Sequence, residues 1–227
     1  YFYNPQLYLS VKNKKPWPTK EAMEQVYAMN LWGKGESAFY SGNGSHDEVL
    51  VKPYLEVVRN FLKAHHNKLS VCDLGCGDFN IGMQLLEYAK HYIAVDIVPA
   101  LINYNTTHFK FDHLEFQCHN IAKDELPPGD VVILRQVLQH LSNSEVLSVL
   151  NKIGAYKYLI LTEHHPESIF TPNKNIISGQ GIRLKKNSGL EITKPPFNFK
   201  FENKKELLSI QDPDGKGVIK TTLYRIQ

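Results

Sequence analysis

The sequence predicts an α/β protein built on a mainly parallel sheet of seven strands, with helices on both faces and an antiparallel strand pair at the C-terminus. Three observations predict it. Between residues 69 and 164, short β-rich apolar runs alternate with helix-period segments in the order β-α-β-α-β-β-α-β. A glycine-bearing turn, VCDLGCGDFNIG (71–82), falls at the first strand-to-helix junction. The chain has 227 residues, 42% of them hydrophobic and 22% charged, which suits one folded domain with a full core.

The elements follow in order. Residues 1–20 set Pro5, Pro16 and Pro18 among aromatics and lysines and read as an arm. TKEAMEQVYAMNLWG (19–33) reads as a helix that Thr19 can cap and Gly33 stops. GKGESAFYSGNGSHDE (33–48) is polar and glycine-rich, a loop. Residues 1–48 thus make an arm, a helix and a glycine-rich lid ahead of a domain over 49–227. VLVKPYLEVVRNFLKAHH (49–66) is a helix through Leu50, Leu55, Val58 and Leu62, with Pro53 near its first turn. Strands are predicted over 69–74, 91–97, 114–120, 130–137 and 156–164. Helices are predicted over 80–89, over 99–109 with Pro99 at the first position, and over 142–153. Ser142 and Glu145 have capping-box spacing. Residues 166–200 read as a loop-rich insertion on the substrate side. LEITKPPF (190–197) and VIKTTLYRI (218–226) are expected to pair as the terminal strands, with ENKKELLSI (202–210) a short helix between them.

Charge excludes little but is informative. Lys and Arg total 26 against 23 Asp and Glu, so the formal net charge is +3. That disfavours a nucleic-acid partner, although a small cluster stands at Lys12, Lys14 and Lys15. Three cysteines, Cys72, Cys76 and Cys118, give no complete disulfide framework and point to a reducing compartment, the cytoplasm. Cys118 is expected to pack on its strand. No apolar run reaches the roughly 18 residues of a membrane span. The sequence opens on Tyr1 rather than Met, so an upstream targeting segment stays open. Oligomeric state is open too.

The glycine segment narrows the ligand. Gly75 and Gly77 let backbone approach a ligand at the carboxyl end of a strand. A dinucleotide fingerprint needs glycine at position 80, which is Asn80, and no GK[ST] follows for a Walker A loop. Asp73 and Asp78 would repel a pyrophosphate. An adenosyl ligand with an amino-acid tail fits better: an acid at the turn can accept from an ammonium. Asp96, ending the second strand, can accept from both ribose hydroxyls.

These residues carry a resemblance. VCDLGCGDFNIG, YIAVDI (92–97), NIAKDELPPGDVVILRQVLQHLS (120–142) and LILTEH (159–164) resemble, in order and spacing, the motifs of class I S-adenosylmethionine-dependent methyltransferases. The likeness spans about residues 69–165. NLWGKGES, YSGNGS, GIR and LEITKPPF extend a looser similarity to small bacterial methyltransferases associated with capsule or surface-polysaccharide modification. The resemblance implies a Rossmann-like fold and direct SN2 transfer from S-adenosyl-L-methionine, with S-adenosyl-L-homocysteine as product. The implied acceptor is a hydroxyl of a small molecule, a sugar or modified sugar phosphate of a surface glycan.

Carried onto this sequence, the resemblance assigns Asp73, Gly75, Cys76, Gly77 and Asp78 to the methionine portion and nearby ribose, and Asp96 to the ribose hydroxyls. Ile97, Asn120 and Ile121 would surround adenine; related enzymes often carry Asp where Asn120 stands. Gln136 would lie beneath the transferred methyl. Gly44 and Ser45 of the lid would touch the cofactor, and Trp32 and Tyr40 the acceptor. His140 is a candidate general base, suited by its near-neutral pKa. Glu163 and His164 are further catalytic candidates at the end of the fifth strand. His165 and Arg183 are candidates for holding substrate. The spacing of these groups matches no zinc pattern, so no metal is expected.

Three rivals stay open. An RNA or protein methyltransferase is weakened because RQVLQH (135–140) replaces an NPPY-type tetrad, though aromatics over Tyr1–Tyr8 could stack on bases. A non-catalytic S-adenosylmethionine-binding protein would turn its histidines from the pocket. A dinucleotide-dependent reductase is disfavoured by Asn80 and the crowded acids.

Overall fold

The computed structural model describes residues 16–227; the lysine cluster and the Tyr1–Tyr8 aromatics lie outside the described residues. One sheet carries β1 (Ser70–Leu74), β2 (His91–Asp96), β3 (Leu114–Cys118), β4 (Val131–Arg135), β5 (Tyr158–His165), β6 (Asn203–Gln211) and β7 (Val218–Arg225). Their order across the sheet is β3-β2-β1-β4-β5-β7-β6. Strands β1 to β5 run parallel, and β7 runs antiparallel to both its neighbours. The order reverses beside β1, which pairs with β2 on one edge and β4 on the other. Open sheets of this kind bind ligands in the crevice at that reversal.

Six α-helices surround the sheet among the described residues: α1 (Thr19–Ala28), α2 (Asn43–His46), α3 (Glu48–Ala64), α4 (Asn80–Met83), α5 (Pro99–His108) and α6 (Asn143–Ile153). Side-chain alternation splits the core in two. Val71, Tyr92, Ala94, Ile133 and Ile160 face α3, where Tyr54, Leu55, Val58 and Leu62 bury against them. Cys72, Leu74, Val95, Leu134 and Leu161 face α6, against Val146, Val149 and Ile153. The capping box forms as the sequence predicts, with Ser142 and Glu145 exchanging side chain and backbone. At α1, Pro18 holds the cap position and the Thr19 hydroxyl donates instead to Glu145. No helix of the described residues is long and apolar enough to cross a membrane.

Three expectations need correction. The helix over 80–89 shrinks to α4 and a 3-10 turn at Leu86–Tyr88. Gly82 weakens it, and the Phe79 ring fills the space a side chain there would take. Cys118 lies on β3 but is exposed rather than packed. The partner of β7 is 203–211, not 190–197. ENKKELL has helix-forming composition, yet pairing with β7 overrides it, and its lysines suit an exposed sheet edge. Pro195 and Pro196 lack the N–H groups a paired strand needs. Leu190, Ile192 and Phe197 bury as loop packing instead.

The β6–β7 hairpin is tight. Gly217 has φ +143, and a Cβ there would strike the carbonyl oxygen of His165. Gly217→Ala should cost roughly 1–3 kcal/mol of unfolding free energy in urea melts. Gly154, with open space around it, is the control, and its alanine variant should melt like the parent.

Candidate active site

The first turn is set by backbone. Gly75 and Cys76 both donate N–H to the Val95 carbonyl, at 2.7 and 2.9 Å. Gly75 sits at φ +88 and Gly77 at φ +57, where L side chains are strained; a Cβ would also strike Val137 or Ser41. Gly77 N–H donates to Asp96 Oδ2 at 3.1 Å, and its carbonyl accepts from Asn105 Nδ2 at 2.8 Å. Turn and ribose-candidate acid are therefore one unit.

The three acids of this region have three fates. Asp73 does not line the cavity: it points to the α3 face and accepts from Tyr92 Oη at 2.9 Å. Burial pushes its carboxyl up to about 7, against a smaller lowering by the Tyr92 hydrogen bond and Arg135. Asp78 does not line the cavity either. Its Oδ2 accepts from Ser41 N–H at 2.8 Å and from His46 Nε2 at 2.7 Å, while its own N–H donates to Ser41 Oγ at 2.8 Å. It staples the glycine-rich segment over the turn. Asp96 alone lines the cavity. Burial raises its pKa, and N–H donation from Val98 and Gly77 opposes this.

Arg135, at the end of β4, was not singled out in the sequence. Its guanidinium donates to the Gly44 carbonyl and to Ser45 Oγ, and it stacks over the Tyr54 ring at 4.7 Å. With Asp78 it fixes both ends of the segment above the cavity. An arginine ending an apolar buried strand was the available signal. Tyr27, Ser41 and His119 also line the cavity unforeseen.

The cavity measures about 500 Å³. Gly44, Ser45, Gly75, Cys76, Gly77, Asp96, Ile97, Asn120, Ile121 and Gln136 all line it, as do Trp32, His140 and His164. Asn120 Oδ1 accepts from Ala122 N–H at 3.0 Å, so this side chain also shapes its own turn. Gln136 takes a left-handed φ of 57 and donates its N–H to the Thr162 carbonyl.

The histidines differ in surroundings. His140 donates Nδ1–H to the Gly179 carbonyl at 3.1 Å, which leaves Nε2 with the lone pair. Gln139 Nε2 stands 3.5 Å from that nitrogen, and Trp32 packs on the ring at 5.3 Å. Burial pushes the His140 pKa down to about 4. His164 lies on the cavity side of β5, its N–H donating to Gln139 Oε1 at 3.1 Å. One amide thus bridges both histidines.

The other expected residues sit elsewhere. Strand alternation turns Glu163 and His165 to the opposite face from His164, where they line a second hollow with Phe170. Glu163 is 2% exposed, burial pushes its carboxyl up to about 8, and it faces away from the cavity that the two histidines line. Arg183 is 1% exposed, and both of its terminal nitrogens are engaged in structure while Nε is buried without a partner. It donates to the carbonyls of Leu138, Gln139 and Leu141 and to Asn143 Oδ1, clamping the turn that carries His140. It is not available to hold substrate. Tyr40 stacks on His46 and donates to Asn43 Oδ1, inside the lid rather than in the cavity. No group of three His, Cys, Asp or Glu that could hold a metal stands among the described residues.

Residues 65–177 match the family model described as a methyltransferase domain. The chain carries a methyltransferase domain. Its fold recurs in solved structures. Magnesium protoporphyrin IX methyltransferase ChlM from Synechocystis PCC 6803, with bound S-adenosylhomocysteine, is 14% identical, with a TM-score of 0.56 over 92% of this chain and 100% of that one. The N-methyltransferase NodS from Bradyrhizobium japonicum WM9, also with S-adenosylhomocysteine, is 11% identical, with a TM-score of 0.55 over 79% and 88%. The 1,6-didemethyltoxoflavin-N1-methyltransferase from Burkholderia thailandensis is 14% identical, with a TM-score of 0.54 over 99% and 91%. No curated protein is significantly similar in sequence. At such identities the methyltransferase domain shares a fold with these proteins, and the site must speak for its chemistry.

Two outcomes test this site. The folded Asp73 pKa is raised, so its contribution to stability is full below about pH 4 and is lost as pH rises through about 7. Asp73→Asn should therefore narrow the gap in melting temperature between pH 5 and pH 8; an unchanged gap contradicts the burial account. Arg183→Lys keeps the charge but loses the fork, and should cost roughly 2–4 kcal/mol as buried carbonyls go unpaired.

Proposed function

We propose that the chain is an S-adenosylmethionine-dependent O-methyltransferase acting on a hydroxyl of a small molecule, a sugar or modified sugar phosphate. The observation that carries this is a single cavity whose two ends differ in chemistry. One end joins a carboxylate, Asp96, to a glycine turn and a pair of isoleucines, Ile97 and Ile121. The other joins the histidines His140 and His164 to Trp32 and the charged groups Lys185, Asp212, Asp214 and Lys216.

The first end fits an adenosyl group by its donor set. Asp96 offers remaining lone pairs to a ribose diol, the isoleucines offer apolar faces to a flat ring, and Asn120 offers a polar edge. S-adenosylmethionine supplies an activated methyl on its sulfonium. The chain then has to align the acceptor behind that methyl and take up one proton. The second end fits a polyhydroxyl acceptor. Trp32 gives a flat apolar wall, and the lysines complement a phosphate. The lid held by Asp78 and Arg135 excludes water from the line of transfer.

Calorimetric titration with S-adenosylmethionine, S-adenosylhomocysteine and NADH tests the cofactor end. The first two should bind and NADH should not. Asp96→Ala should weaken both by about 10- to 100-fold, the weight of charge-assisted hydrogen bonds. Binding of NADH alone would overturn the reading.

A further inference from the structure

Two histidines line the transfer end, and only one can keep an imidazolium. We infer that His164, oriented by Asp212 of the β6–β7 turn, takes the acceptor's proton, and that His140 serves to wall and align the acceptor. This rests on the O-methyl transfer proposed above.

The geometry separates the two rings. His164 is 9% exposed, and its Nε2 lies 3.5 Å from Asp212 Oδ2, itself 12% exposed. Asp212 is fixed in turn: its Oδ1 accepts from Asp214 N–H, its N–H donates to the Gly217 carbonyl, and its carbonyl accepts from Gly215 N–H. Gly217 leaves the ring its room, since a Cβ there would stand 3.3 Å from Nε2. Nε2 thus faces the hairpin, sealed from solvent and without a hydrogen bond among the described residues, so that its approach to Asp212 is an ion-pair distance only. Nδ1, likewise unpaired but not among the sealed atoms, is the nitrogen left to the cavity that His164 lines. His140 has the reverse arrangement. Its lone-pair nitrogen already faces the Gln139 amide, its other nitrogen is spent on a neutral carbonyl, and the charge acting on it is the Arg183 cation.

Charge then decides. In the transfer, the acceptor oxygen bonds to the methyl carbon as the carbon–sulfur bond breaks. That electron pair leaves on sulfur, and the hydroxyl proton passes to His164 Nδ1. A new imidazolium at 164 meets the Asp212 carboxylate; one at 140 meets only Arg183. The other charged or titratable groups around His164 are Lys216, which opposes the charge, His165 on the far face, and Asp214 at the cavity rim. Asp212 touches no reacting atom and is a positioning residue.

Nitrogen-15 NMR of the histidines in protein saturated with S-adenosylhomocysteine gives a readout apart from turnover. His164 should carry its proton on Nε2, and Asp212→Asn should lower its titration midpoint by about one unit. In turnover, His164→Gln should lose at least about 100-fold in kcat with cofactor affinity within about twofold. Asp212→Asn should lower kcat about 10-fold, leave the acceptor KM nearly unchanged and move the acid limb of the pH profile down. Asp212→Glu should recover most of the loss. His140→Gln should act chiefly on KM. Hydroxyl transfer that His164→Gln leaves untouched, or a midpoint that Asp212→Asn leaves unmoved, overturns this inference alone. Cofactor binding with no transfer to any hydroxyl overturns the acceptor class, and this inference with it.

Discussion

The paired hydrogen bonds between Ser41 and Asp78 hold the molecule's working half together. Each residue gives a backbone N–H to the other's side chain, and His46 adds a third bond to the same carboxylate. This interlock anchors the segment over 33–47 on the β1 turn, and Asn80 Nδ2 adds a bond to the Ser45 carbonyl at 2.6 Å. Arg135 ties the same segment to the end of β4, and Tyr27 shares the Ser41 hydroxyl at 3.1 Å. Gly42 of the same segment backs onto Trp32, which in turn packs on the His140 ring.

The interlock also explains why an acid-rich turn can suit a ligand. Of three carboxylates, Asp73 turns to the α3 face, where burial raises its pKa, and the lid consumes Asp78. One charge, Asp96, faces the cavity. The same economy governs the histidines. β-strand alternation brings His164 to the cavity and sends Glu163 and His165 away, so adjacent residues in the sequence belong to different faces.

Much of this was legible in the sequence, for local reasons. The β-α alternation, Pro99 at a helix start and the Ser142–Glu145 box are short-range signals, and the structure has each. Gly75, Gly77 and Asp96 were legible because their spacing serves one turn. What failed depended on distant contacts. Asp78 and Arg183 look like ligand residues until their partners, Ser41 and the 138–141 carbonyls, arrive from elsewhere in the chain. The strand over 203–211 hides behind helix-forming composition, although DPDG (212–215) is a turn signature between two extended runs. That same signature holds Asp212, whose nearness to His164 only the folded hairpin creates.

The most direct test is a crystal structure of the protein grown with S-adenosylhomocysteine. The account predicts the ribose diol on the Asp96 carboxylate, adenine between Ile97 and Ile121, and the sulfur directed toward the His140 and His164 end. Adenosine seated away from Asp96, or a ligand lying across the lid rather than beneath it, would contradict it.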